Sequence, residues 1–176
     1  MRAWQALEGK TYTHVFDNFA KDIKTVETVA MKAKEWGVKN YCYVSSAGMY
    51  QASVPQPMTE DAETKVTGQR EVEMFLDQNG LAYTAFRPQY IYGPKTNKRD
   101  YLDWFFDRIS RDRVCPLPGD GTQLASVSHV EDVASMMTSV VGKEDAAARQ
   151  IFNCGALEME GVRGGTSWEG RLGMHQ

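Results

Sequence analysis

Three short runs rich in apolar β-formers, separated by stretches of helical periodicity, limit what this chain can fold into. Tyr12 to Phe16 is rich in β-formers and ends on Asp17-Asn18, after which Ile23, Val26, Val29, Ala33 and Trp36 fall on one face of a helix. Gly37 closes that helix, and Tyr41-Cys42-Tyr43-Val44 follows as a second run, apolar on both faces as a strand inside a parallel sheet must be. A loop from Gln51 to Thr64, holding Pro55 and Pro57, precedes another helix on Val72, Phe75 and Leu76, which Asn79-Gly80 ends. Leu81 to Phe86 is the third strand, followed by Arg87-Pro88 and a loop through Tyr92-Gly93-Pro94. Strands alternating with helices imply a doubly wound α/β fold with a parallel sheet.

Later in the chain, Tyr101 to Arg113 has the period of a helix that buries Leu102, Phe105, Phe106 and Ile109, and Trp104 is expected in the core with them. The turn-forming segment Pro116 to Gly121 ends it. Val130, Val133, Met136, Met137, Val140 and Val141 define a further helix, and Gln150 to Asn153 a short strand. Residues 1–154 therefore read as one domain, and 155–176 as an irregular Gly-rich tail. The strands are too few for a whole sheet of this type. No Gly-x-Gly-x-x-Gly follows an opening strand, so the turn that brings a helix N-terminus to a dinucleotide pyrophosphate is not found in the chain.

With 42% hydrophobic residues in 176, the chain can bury a core, and a formal charge of -3 argues against a surface that is basic throughout. Cys42, Cys115 and Cys154 are far apart and form no zinc-ligand spacing; no metal site is expected from them, and Cys42 reads as a small core residue. No run approaches the roughly 20 apolar residues of a membrane span, and the first ten residues lack the layout of a signal peptide.

Three words occur in order at workable spacing: Tyr43-Val44-Ser45-Ser46-Ala47-Gly48-Met49-Tyr50, Phe86-Arg87-Pro88-Gln89-Tyr90-Ile91-Tyr92-Gly93-Pro94, and Pro118-Gly119-Asp120-Gly121-Thr122-Gln123 with His129-Val130-Glu131-Asp132-Val133-Ala134. Together they resemble an extended short-chain dehydrogenase/reductase of the NAD-dependent epimerase-like kind, entered partway along. The expected fold is thus a partial Rossmann-like sheet lacking the first strands. Phe16-Asp17-Asn18, Arg87-Pro88-Gln89-Tyr90, Trp104-Phe105-Phe106-Asp107-Arg108-Ile109, Arg111-Asp112-Arg113 and Ile151-Phe152-Asn153-Cys154 are closer still to the chloroplast stem-loop-binding protein family of about 41 kDa, an atypical branch, with the chain truncated at both ends relative to it.

That resemblance locates a loss. In a working member a Tyr-x-x-x-Lys pair on one helical face moves a proton and holds the nicotinamide ribose. Counted back from Glu73, which resembles the glutamate that follows the pair, the tyrosine position holds Lys65 and the lysine position Gln69. Ser46 stands at the substrate-orienting serine as a relic and reads more simply as a backbone cap. With the pair and the glycine turn missing, the chain is expected to be a pseudoenzyme rather than an oxidoreductase, with no cofactor and in particular no NAD(P).

The family resemblance implies RNA binding or stabilisation in the chloroplast, in the stroma or on the stromal face of the thylakoid. The candidate contacts are Lys95, Lys98, Arg99, Arg108 and Arg111, beside Tyr90, Tyr92 and Tyr101. Against this, Asp107 with Arg111 and Arg108 with Asp112 sit at i,i+4 and can neutralise each other as a solvated helix face. Some members are implied to be metal-dependent endoribonucleases; for Mg²⁺ this chain offers Asp17 with Asp22, or Asp103 with Asp107, which read equally as caps and salt-bridge partners. The alternative is a catalytically inactive docking subunit of a larger plastid assembly, a photosynthetic complex or ribosome, whose protein partner covers an exposed sheet edge. A residual NAD(P)-dependent epimerase or reductase ranks third.

Overall fold

A computed structural model describes residues 7–55, 57–96, 102–116, 119 and 125–155. The strands are β1 (His14–Asp17), β2 (Asn40–Val44), β3 (Tyr83–Pro88), β4 (Ile91–Tyr92), β5 (Ser128–His129) and β6 (Gln150–Cys154). The helices are α1 (Ile23–Trp36), α2 (Gly68–Gln78), α3 (Leu102–Ser110), α4 (Val130–Thr138) and α5 (Glu144–Ala147). Four strands form one sheet in the order β1-β2-β3-β6, and every pairing in it is parallel.

The burial of β2 explains its unbroken apolar sequence. Tyr41 and Tyr43 pack on one face with Val26, Ala30 and Ala33 of α1 and Val72 and Leu76 of α2. Cys42 points to the other face, where Phe86, Phe152 and the α4 residues Val133, Met136 and Met137 gather. Helices on both faces make the sheet doubly wound, as its sequence implies. Each Val or Leu fully buried in these two cores contributes about 1.5–3 kcal/mol.

Helix ends are set by local chemistry. Asp22 and Thr25 form a capping box at the start of α1, and Gly37 takes the left-handed conformation that ends it. Thr67 caps α2, and its next residue, Gly68, lies against the start of α1 so closely that a Cβ there would stand 2.2 Å from the carbonyl oxygen of Lys21. Only glycine lets these two helix starts touch.

Two expectations need correction. α3 forms, but it is not a core helix: none of its residues is buried, and Trp104, Phe106 and Ile109 are 38%, 62% and 65% exposed. Its period is amphipathic, and periodicity alone does not say whether an apolar face has something to cover it. The second concerns the loop after β3, which contains β4, paired in parallel with β5. Strands of two residues leave no pattern in sequence. Among the described residues no helix is long and apolar enough to cross a membrane. The expected tail lies outside the described residues, apart from Gly155.

Candidate functional site

In an open parallel sheet, ligands bind outside the carboxyl ends of the strands, and here those ends carry a closed polar network. Ser45 follows β2 and donates its hydroxyl to Glu73 Oε1 at 2.6 Å. Glu73 is on α2, fully buried, and also receives Arg87 Nε on Oε1 at 3.0 Å. Its Oε2 takes Arg87 Nη2 at 2.7 Å and Arg70 Nη1 at 2.9 Å. The carboxylate has four donors for its lone pairs, the condition for holding a charge in a dry interior. Burial alone would depress the Arg87 guanidinium, but the hydrogen bonds and charge of Glu73 outweigh it and hold the group above its ordinary value.

Arg87 Nη1 reaches further, to the Tyr50 hydroxyl at 2.8 Å and the Glu60 carbonyl at 3.1 Å. Tyr50 in turn donates to Asn153 Oδ1 at 2.6 Å, and its ring lies 5.1 Å from the guanidinium carbon. Burial raises the Tyr50 phenol, with the Arg87 hydrogen bond opposing it, so it stays protonated at neutral pH. Asn153 on β6 is held by Glu60 Oε1 through its backbone N–H and donates its side-chain amide to the Met58 carbonyl. β2, β3, α2, β6 and the loop before α2 thus meet around one buried arginine.

Sequence reasoning uses Glu73 only as a counting mark and misses this cluster. A signal existed: Glu73 lies three residues before Leu76 and next to Val72, so its carboxylate falls on the apolar side of α2, where a charge needs a partner. Arg87, in its arginine-proline word, is that partner.

Lys65 and Gln69, the positions expected for the family's catalytic pair, sit at the margin of this network. Lys65 is exposed and precedes α2, its backbone N–H donating to the Met49 carbonyl at 2.7 Å; Gln69 is half-buried in the helix's first turn. The two therefore do not share a helical face. Ser46 accepts a hydrogen bond from the Gly48 N–H at 3.1 Å, in the capping role expected of it.

The acidic candidates are engaged by the chain itself. Asp17 accepts from the backbone N–H groups of Phe19 and Ala20 and from the Tyr41 hydroxyl, and Asp22 caps α1. Asp107 pairs with Arg111 at 2.9 Å. Among the described residues no three His, Cys, Asp or Glu side chains gather as a metal site. Of the basic candidates, Lys98 and Arg99 lie outside the described residues, as does Tyr101. Lys95 is exposed on the loop after β4. Arg108 stacks over the Trp104 ring at 4.8 Å and donates Nε to the Val114 carbonyl.

Residues 3–155 match the NAD dependent epimerase/dehydratase family. The chain belongs to that family. It is 34% identical over 152 residues to the chloroplast stem-loop binding protein of 41 kDa b from Arabidopsis thaliana, covering 84% of this chain and 39% of that protein. A dTDP-glucose 4,6-dehydratase from Streptomyces venezuelae, solved with NAD, has a TM-score of 0.69 at 18% identity, covering 88% of this chain and 55% of that one. The UDP-glucose 4-epimerase of Thermus thermophilus, also with NAD, has a TM-score of 0.64 at 18% identity, covering 89% of this chain and 60% of that one. Both share the fold. The chain spans less than half the length of the stem-loop binding relative.

These findings overturn the expectation that no NAD cofactor is involved, because the family is NAD-dependent and neighbours of the same fold hold NAD. The glycine turn gives no ground against it, since the chain covers only part of each relative. The expected pair positions bear on a narrower matter. Lys65 and Gln69 do not fit the proton-transfer role: neither is a phenol, and the backbone sets them on different elements. Dinucleotide binding draws instead on the crevice and on pyrophosphate contacts. When bound, NAD would supply hydride transfer, the chemistry of an NAD-dependent family.

Proposed function

We propose that this member of the epimerase/dehydratase family acts in the plastid by binding RNA rather than by epimerising a sugar nucleotide. The observation that carries the reading is α3: Trp104 and Arg108 stand one turn apart with the guanidinium over the ring, on a helix where Trp104 and Phe106 are exposed. A ring with an attached cation stacks on a base while the charge meets phosphate, which suits single-stranded or looped RNA. Similarity to a chloroplastic stem-loop binding protein supports the same reading. Lys95, Lys98, Arg99 and Arg111 are its further candidate contacts.

The test is binding of an RNA stem-loop across a salt series. Affinity falls as salt rises, and Trp104→Ala with Arg108→Ala weakens it by roughly tenfold or more, on the scale of one lost stacking contact. A salt-independent or unaltered affinity sinks the proposal. The second reading, a docking subunit of a plastid assembly, is favoured by the exposure of Phe106, Ile109 and Val114. It calls for stoichiometric co-purification with a protein complex that survives ribonuclease.

A further inference from the structure

We infer that Phe19 stacks an unpaired base of the RNA while Lys21 and Lys65 hold its phosphates, at the corner where the starts of α1 and α2 meet. The inference rests on the RNA-binding reading and deepens it by adding a contact surface apart from α3. Phe19 is the most exposed aromatic side chain among the described residues, at 74%. No ring or cation contact engages it there.

The backbone beneath that ring is pinned from the core. β1 ends at Asp17, whose Oδ1 accepts the N–H groups of Phe19 and Ala20, both at 2.9 Å, and whose Oδ2 accepts the Tyr41 hydroxyl at 2.7 Å. The Tyr43 hydroxyl donates to the Ala20 carbonyl at 3.0 Å, and Ala20 itself is buried. Two tyrosines of β2 thus tie down the residues around Phe19 and leave its side chain in water. The place is the carboxyl end of β1, on the edge where a sheet of this kind receives ligands.

A single exposed apolar residue needs no explanation; what sets this one apart is the charge beside it. Lys21 follows two residues on, and a Cβ on Gly68 would come within 2.2 Å of its carbonyl oxygen, so the two stretches of chain lie against each other. That contact brings Lys65, just before the α2 cap Thr67, to the same corner. Lys21 and Lys65 are exposed, and neither forms an ion pair among the described residues. The neighbouring carboxylate of Asp22 is turned to its own helix, where Thr25 holds it. Unlike Arg111, which Asp107 neutralises, the two lysines keep their charge for a ligand.

An open ring beside unpaired cations suits single-stranded nucleic acid: the ring takes a base of any identity, and the ammonium groups take phosphate. A stem offers the ring nothing, because its bases are already stacked on both faces. An apolar protein surface would bury the lysines without counter-charges, a cost that RNA does not incur.

The experiment titrates the full chain with a hairpin RNA and with a fully paired duplex, across a salt series. Three variants are compared: Phe19→Ala, Lys21→Ala with Lys65→Ala, and the α3 variant Trp104→Ala with Arg108→Ala. Phe19→Ala weakens hairpin binding by roughly tenfold and leaves its salt dependence unchanged. The double lysine variant lowers the slope of log affinity against log salt by about 1.4, at about 0.7 for each single-strand phosphate. Both keep the melting temperature of the unaltered chain, since the three side chains are exposed. Unchanged hairpin binding in both variants overturns the inference, as does an equal loss on the duplex for Phe19→Ala, or a loss accompanied by a lower melting temperature. If the α3 variant alone weakens hairpin binding, the RNA-binding reading stands and this inference falls. No hairpin binding by the unaltered chain overturns both.

Discussion

Glu73 and Arg87 form a two-pronged ion pair inside the protein, with Nε on one carboxylate oxygen and Nη2 on the other, and neither side chain more than 2% exposed. Removing one partner leaves the other charged in a dry site. Arg87→Met or Glu73→Leu is therefore expected to cost about 3–5 kcal/mol in urea unfolding, and the double variant less than the sum of the two. Additive losses would show that the pair is not coupled.

Alkaline pH should loosen the fold before acid does any comparable harm to these groups. Burial pushes the thiols of Cys42 and Cys154 up to about 12, from an ordinary value of 9.0. It raises the phenols of Tyr41 and Tyr43 too, with Asp17 adding to the effect on both. All four are acids whose folded values exceed their unfolded ones, so the unfolded chain releases protons first. Stability is complete below pH 9 and declines from there towards 12, measurable as a falling urea midpoint.

Gly68→Ala separates helix propensity from packing. Alanine in an exposed helix would gain up to about 1 kcal/mol over glycine. Here its Cβ would meet backbone, the Lys21 carbonyl oxygen at 2.2 Å, and backbone cannot swing aside. The variant should be destabilised, by more than about 1 kcal/mol. A thermal melt showing equal or greater stability would mean that α1 and α2 do not approach as described.

Placing a tyrosine and a lysine at the expected pair positions should not by itself produce hydride transfer. In Lys65→Tyr with Gln69→Lys the side chains are right, but position 65 stays outside α2, which begins at Gly68 behind its Thr67 cap. The expected result is no gain in hydride transfer from NAD with a sugar nucleotide, followed by the absorbance of the reduced nicotinamide. A marked gain would place the phenol within reach of substrate and refute the backbone argument.

The sheet was legible because a strand buried on both faces leaves an unbroken apolar word, as in Tyr41-Cys42-Tyr43-Val44, and because Asp22, Gly37 and Thr67 mark helix ends by chemistry that operates within a few residues. What could not be read depends on what lies opposite. The period of α3 is the same whether Phe106 and Ile109 meet a core or solvent. The Arg87 network joins residues from Ser45 to Asn153, and no local rule pairs a glutamate on one helix with an arginine at the end of a strand. Tyr90's left-handed backbone is likewise imposed by Ser128, a distant neighbour in sequence. The expectation of no NAD fails for another reason: the residues at the pair positions bear on proton transfer, whereas dinucleotide binding draws on other contacts.

The tie between Asn153 and the loop before α2 has a consequence for how the protein is made. Met58, Glu60 and Tyr50 share one partner, Asn153, on a strand roughly a hundred residues later. As the chain leaves the ribosome N-terminus first, β1, α1, β2, α2 and β3 are already free to assemble, and Arg87 can hold that loop through Tyr50 and the Glu60 carbonyl, but its contacts to Asn153 wait until β6 has been synthesised. Long-range pairing of this kind is slow to form. The carboxyl edge of the sheet, where a ligand would arrive, is thus complete only once β6 is in place.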